Sequence, residues 1–333
     1  VTPEVAVAAV MVIALVVYAL TGGADFGGGI LDIAARGPRA REQRQAIEAA
    51  IAPIWEANHV WLILVLVLLF VAFPDAFAAI STWLFVPILL LVFGIVIRGA
   101  SFTFRTYDVH TDAVQRRWGR IFSAASVLAP LMLGVVVGSL ARGDAGPADR
   151  GWWSWVSPFP LVTGGFAAAL FAFLASVYLT VETAGPLQED FRRRALWCGA
   201  AVFALAAATG ATSSVEAPLV FSGLTRRWFS LPLQGATAVA ALGAFAALWT
   251  RRFGLARLAA AAQVSLIVIG WAASQYPWLL VPEITVHSAA APRRTLVLLL
   301  WALAAGAVLL VPALWLLFRV FKGRGPASAA DPH

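Results

Sequence analysis

Residues 4–29 read EVAVAAVMVIALVVYALTGGADFGGG, and the part from 4 to 22 decides the architecture. No charged residue interrupts it after Glu4. A helix that crosses the hydrocarbon core needs about 20 mostly apolar residues. Eight further runs of this kind follow, near 52–73, 79–101, 118–141, 158–182, 193–213, 228–250, 255–277 and 295–319. Over the 333 residues, 61% are apolar and only 12% charged, and the mean hydropathy is +0.84. A soluble domain also has to cover its outside with polar groups, and its charged share is about twice as large. A water-soluble enzyme, a nucleic-acid-binding domain and a disordered chain are therefore poor readings. Closed β-barrels span membranes too, but with alternating segments of about ten residues, which these runs are not. The prediction is an all-α polytopic membrane helix bundle of about nine transmembrane helices.

Charge sets the expected orientation. The chain carries 24 Lys and Arg against 17 Asp and Glu, a net +7. Eighteen of the 24 basic residues fall in the first, third, fifth and seventh connections and the C-terminal tail, from Arg36, Arg39, Arg41 and Arg44 through Arg98 and Arg105 to Lys322 and Arg324. The other connections hold only Arg142, Arg150, Arg226, Arg227, Arg293 and Arg294. By the positive-inside rule the N-terminus lies outside and the C-terminus in the cytoplasm. Residues 1–322 are expected to form one transmembrane domain, and 323–333 a disordered cytoplasmic tail. The first run lacks a basic n-region and a small-residue cleavage site, so it is read as a retained helix. Trp152, Trp153 and Trp155 look like an interfacial anchor on the outer face. One cysteine, Cys198, allows neither a disulfide framework nor a cysteine metal site within the chain.

Information is concentrated where polar groups enter apolar runs, because ionisable groups in a membrane are costly and usually face a bundle interior or an aqueous path. The densest cluster is Tyr18, then Thr21-Gly22-Gly23-Ala24-Asp25-Phe26-Gly27-Gly28-Gly29, then Asp32. Its glycines permit close backbone approach, which predicts a helix either broken or tightly packed around Asp25. A solvated helix end is the plain alternative. A second cluster runs Ala52-Pro53-Ile54-Trp55-Glu56-Ala57-Asn58-His59-Val60-Trp61-Leu62-Ile63. Pro53 suits a first helical turn, and the helix dipole favours Glu56 there. Neither fact calls for Asn58 and His59. On the expected topology Asp25 and Glu56 share one membrane level on antiparallel neighbours, as a proton-uptake route requires, since buried carboxyls can be reversibly protonated. The candidate proton pathway is thus Asp25, Glu56 and Asn58. Arg98 is either a charge partner for a buried carboxylate or a snorkelling residue, the latter being the better reading for Arg105. Glu182 reads as interfacial, and Glu283 and His287 as solvated loop residues. His59 is a weak haem ligand, with only Met132 as a conceivable second.

At these two clusters the sequence resembles subunit II of the cytochrome bd-type quinol oxidases. That family has a Thr-Asp-Gly-x-Asp-x-Gly-x-Gly stretch ending helix one and an Ala-Pro-x-Trp-Asp-Gly-Asn-x-Val-Trp-Leu-Ile stretch opening helix two. Further matches are Leu69-Phe70-Val71-Ala72-Phe73-Pro74, Arg98 with Phe102-Thr103-Phe104-Arg105, and Ala129-Pro130-Leu131 with Gly134 and Gly138. The resemblance is specific over about residues 15–142, with a looser match from Tyr276-Pro277 to Pro282. Gly22 stands where the family has its first acid, Glu56 replaces an aspartate, Ala57 a glycine, and Gly119 an acid early in the fourth run.

The resemblance implies a two-subunit core in the bacterial cytoplasmic membrane. Subunit I would carry two b haems and one d haem, oxidise quinol and reduce dioxygen to water. Subunit II would ligate no haem, pack against subunit I and support a proton channel, with a structural quinone in some members and small accessory membrane subunits as further partners. No nucleic acid enters this reading. Two other readings remain: a secondary transporter built on a glycine-broken first helix, and a structural scaffold in which Asp25 and Glu56 only cap helices.

Overall fold

In the computed structural model the described residues are 2–51, 55–107, 112–142 and 151–322. Among them the chain is almost entirely helical. α1 spans Pro3–Ile33, α2 Ala40–Ile51, α3 Trp55–Ala72, α4 Pro74–Trp83, α5 Phe85–Tyr107 and α6 Asp112–Ala141. They are followed by α7 at Pro158–Glu182, α8 at Gly185–Glu216, α9 at Pro218–Thr225, α10 at Ser230–Trp249 and α11 at Phe253–Gln275. A two-stranded antiparallel hairpin, β1 (Trp278–Leu280) and β2 (Ile284–Thr285), precedes α12 at Arg293–Lys322. Among the described residues eight helices are long and apolar enough to cross a membrane, and α3 with α4 makes a ninth if that bent pair is one span. The chain is a multi-pass membrane protein, as the sequence predicts.

Each of the nine runs falls on a helix, with differences that have local causes. Pro74 disfavours helical geometry at Phe73 (φ −137°, ψ 61°), so α3 stops and α4 leaves it at 118°. The third span consequently starts at Phe85 rather than near 79. The stretch 40–51, expected as loop, is α2, whose Ile47, Ala46 and Ala50 pack on Leu31, Phe122, Ala175, Leu179 and Phe191. Proline opens α1, α4, α7, α8 and α9 within their first two positions, where its missing N–H leaves no intrahelical bond unmade.

α1 is the central helix, packed against α3, α6, α7, α11 and α12. Its glycine-rich stretch is continuous helix from end to end; of the two forms expected there, broken or tightly packed, the second is found. Gly27 lies against the backbone carbonyl of Phe171 on α7, and Gly29 against the Ser126 hydroxyl on α6, so closely that a Cβ at either place would overlap them. On the neighbouring seam Gly134 and Gly164 let α6 and α7 meet backbone to backbone. Small residues are how membrane helices gain dispersion contact where apolar burial drives nothing.

The connections gather at two ends. At one, Arg39 and Gln43 bind Asp190, Arg194 binds Gln43 and the Ala34 carbonyl, and Arg251 pairs with Glu189. Those Asp190 bonds and its charge hold Arg39 above the ordinary guanidinium range. At the other end Glu216 accepts from Ser157 and pairs with Arg142, Trp83 donates to Ser154, and the 276–291 loop folds over α1 and α3. There Trp152 and Trp153 stand exposed while Trp155 turns inward. Glu182 is exposed, as expected. His287 is an exposed loop residue, as expected, and it also bridges Glu4 and Tyr276. The tail 323–333 and the Arg105 side chain lie outside the described residues.

Close approach at Gly27 gives a direct test. Gly27→Val should lower stability by about 1–3 kcal/mol through overpacking, whereas Gly119→Ala, with open space around it, should leave it unchanged. Thermal unfolding of the purified protein in detergent reads both.

Candidate functional site

The site is built on one face of α1. Tyr18, Gly22, Asp25, Gly29 and Asp32 recur at spacings of three and four, which stacks them along a single stripe of a 3.6-residue helix. Tyr18, Asp25 and Asp32 are all buried. Successive members of this trio lie about 10 Å apart along the axis, at 1.5 Å per residue. The stripe therefore leads from the Arg-rich end of the bundle into the middle of the helix.

Asp25 is the pivot. Its Oδ1 accepts from Arg98 Nη2 at 2.5 Å, and both side chains are 1% exposed. Arg98 reaches in from α5 along α6, donating through Nε to Ser126 Oγ at 3.1 Å and through Nη2 to the Asp25 carbonyl at 3.2 Å. Its guanidinium carbon stands 4.9 Å from the ring centres of both Phe26 and Phe122, a cation–π sandwich in a dry environment. Of the two readings offered for Arg98, the ion pair is the one found. Arg98 therefore does not belong with the loop charges that bear on orientation, although the charge split included it.

The other oxygen of the carboxylate is differently placed. Asp25 Oδ2 is buried without a hydrogen-bond partner among the described residues. Asn58, at the start of α3, stands beside the same carboxyl, yet its Nδ2 completes no bond either. The His59 ring stands 5.8 Å from Phe26 and 6.4 Å from Tyr18, and its Nδ1 and the Tyr18 hydroxyl are also unpartnered. Tyr18 leans over Gly22, where a Cβ would come to 3.0 Å from its ring. The structure thus brings Asp25, Asn58 and Arg98 together. Glu56 lies on α3, but its side chain is outside the described residues.

Asp32 is the group that reasoning from sequence left without a role. It accepts from Ser123 Oγ at 2.9 Å and lies 3.6 Å from Arg44, which is half-exposed at the Arg-rich end. The seven-residue interval from Asp25 could have pointed to it. Chemically the arrangement offers carboxylates at two depths, one free oxygen and a fixed cation, a set suited to proton exchange.

The His59 ring is flanked by Phe26 and Tyr18, and Met132 is buried in the core. Among the described residues no three His, Cys, Asp or Glu side chains group as metal ligands.

Comparison with known proteins gives a consistent picture. The family model described as cytochrome bd terminal oxidase subunit II matches residues 3–321. Cytochrome bd ubiquinol oxidase subunit 2 of Bacillus subtilis is 29% identical over 178 residues, 52% of this chain and 52% of that protein. Cytochrome bd-I ubiquinol oxidase subunit 2 of Escherichia coli K12 is 28% identical over 189 residues, 54% of this chain and 49% of that protein. The chain thus spans about half the length of the curated relatives it matches. A solved bd oxidase from Geobacillus thermodenitrificans shares the fold, with a TM-score of 0.82 at 21% identity over 96% of this chain and 99% of that one.

The ion pair yields its own expectation. Arg98→Gln should destabilise by about 3–5 kcal/mol, because it strands a buried carboxylate. Adding Asp25→Asn to that variant should recover much of the loss. A double-mutant cycle on thermal unfolding measures this coupling.

Proposed function

This chain belongs to the cytochrome bd terminal oxidase subunit II family, and from that premise we propose that it packs against a haem-carrying subunit I and supplies a proton-uptake route to a quinol-oxidising, dioxygen-reducing complex. The observation that carries the reading is the Asp25 carboxylate, with one oxygen held by Arg98 and the other buried beside Asn58 without a completed hydrogen bond among the described residues. A buried carboxyl serving only as a structural ion partner has both oxygens satisfied, since each unsatisfied one costs about 1–3 kcal/mol or more.

In this reading the Arg-rich end faces the cytoplasm of a bacterial inner membrane, as the distribution of basic residues favours. Asp32 and Glu56 stand at the mouth, and protons move between them and Asp25 past the Asn58 amide. Arg98 keeps a compensating positive charge beside Asp25, so that the loss of its proton leaves a stabilised anion. The partner's two b haems and d haem supply the electron transfer from quinol to dioxygen; every step assigned to this chain is a proton step. The transporter reading loses the broken first helix that motivated it, because α1 is continuous.

Two measurements test this. Purified gently, the chain should bring with it a second membrane protein that shows haem absorption; a colourless, fully active single chain would defeat the reading. In the complex, Glu56→Gln and Asp25→Asn should each slow oxygen reduction by about tenfold or more while haem absorption and quinol affinity hold. Unchanged turnover in both would remove the proposed route.

A further inference from the structure

The proton route as proposed stops at Asp25, but the unsatisfied polar atoms do not. Four of them converge where α1 meets α3: Asp25 Oδ2, Asn58 Nδ2, His59 Nδ1 and the Tyr18 hydroxyl, each buried and unpartnered among the described residues. Tyr18, Asp25 and Asn58 are 1%, 2% and 2% exposed, and the apolar ring of Phe26 packs beside them against His59. Each such atom in a dry interior costs about 1–3 kcal/mol, and leucine or phenylalanine at 18 and 59 would avoid that cost. A purely structural contact therefore has no use for these side chains. Grouped polar atoms of this kind hold ordered water.

We propose that Tyr18 and His59 continue the proton route from Asp25 toward the middle of the bilayer, as relay groups bridged by water. The inference rests on the reading of Asp25 given above. The His59 ring is placed between the two levels, in contact with Phe26 next to Asp25 and with Tyr18 about 10 Å further along α1 by the helical rise. The two ring centres are 6.4 Å apart, and the hydroxyl and Nδ1 are both buried without a partner among the described residues, so water is the group that can link them. A proton leaving Asp25 Oδ2 crosses water to His59 Nδ1, and the imidazole releases a proton from its other nitrogen. The Tyr18 hydroxyl accepts one proton from water as it donates its own. The imidazole is left with its proton on Nδ1 instead of Nε2 and is reset by a ring flip or by proton exchange with water, Asp25 is reprotonated from the Arg-rich end, and no electron moves. Of the charged and titratable groups around His59, Tyr18 on α1 lies against its ring, Arg98 on α5 acts on it through its charge, Asp25 is the neighbour in sequence of Phe26, whose ring touches that of His59, and Glu56 is one turn earlier on its own helix. The family motif leaves the position of His59 open, so this step is a property of this chain and not of the motif.

The experiment uses the intact membrane complex and three variants: His59→Gln, Tyr18→Phe and, as reference, Glu56→Gln. His59→Gln and Tyr18→Phe should each slow oxygen reduction by about tenfold, raise the solvent deuterium isotope effect, and leave haem absorption and quinol KM as they were. His59→Gln should also flatten the pH profile of turnover, which a packing defect would not do. Infrared difference spectra should lose a buried-water band in both variants. If Glu56→Gln slows turnover but His59→Gln and Tyr18→Phe keep the parental rate and isotope effect, this inference fails and the route to Asp25 stands. If none of the three differs from the parent, both fail. Should His59→Gln not assemble, Tyr18→Phe decides alone: a parental rate and isotope effect overturn the proposal, and a slower rate with a larger isotope effect supports it.

Discussion

An ion pair sealed inside a lipid-soluble bundle is the constraint around which the N-terminal half of this protein is organised. Removing two charges from water costs several kcal/mol per ion, and the attraction between them repays this only with good geometry and further bonds. Arg98 meets that demand with the Asp25 carboxylate, the Asp25 carbonyl and Ser126, under two aromatic faces. Such a cage needs α1, α5 and α6 at fixed distances. Glycine supplies the approach: Gly29 admits the Ser126 hydroxyl on the α6 side, while Gly23 and Gly27 let α7 press against the opposite side. The glycine stretch that looks like a helix breaker in isolation is thus the packing surface that lets a charged residue sit in the core.

The same packing separates two kinds of polar group. Near the ends of the helices the ion pairs are partly exposed: Arg39–Asp190 ties the turn before α2 to α8, Arg251–Glu189 ties the α10–α11 turn to α8, and Arg192–Glu189 lies within α8. Pairs of this sort contribute about 0–1 kcal/mol each. Inside, Asp25, Asn58, His59 and Tyr18 are grouped where α1 meets α3, and each has a buried polar atom without a partner among the described residues. Stability alone does not account for this second group. Its arrangement along a stripe from Asp32 inward agrees with a directional path, and Arg98 supplies the fixed charge beside it.

Particular residues show how far reading the sequence carries. Asp25 was legible because a lone carboxylate among glycines at the end of an apolar run has few roles. Arg98 was legible only as an alternative, since a long side chain near a helix end can snorkel or turn inward, and the choice depends on what lies within its reach. Tyr18 and Asp32 lie seven residues on either side of Asp25, a spacing visible in the sequence but unused without a reason to place both on its face. α2 escaped notice because its apolar positions, 46, 47 and 50, are small or few. The bend at Phe73–Pro74 was hidden inside what reads as the end of one span and the start of the next.

By itself the sequence determined that the chain dissolves in a bilayer as about nine helices, because the length of each apolar run is matched to the thickness of the hydrocarbon and needs no partner to be read. It also fixed which polar residues are out of place there. Only the tertiary structure decided which of them meet. Whether Arg98 finds Asp25, 73 positions away, whether the glycines break α1 or seat it, and what stands beside the second oxygen of Asp25 depend on how residues far apart in the chain are brought to contact distance. That is set by the packing of α1 against α3, α6 and α7, and by no local pattern.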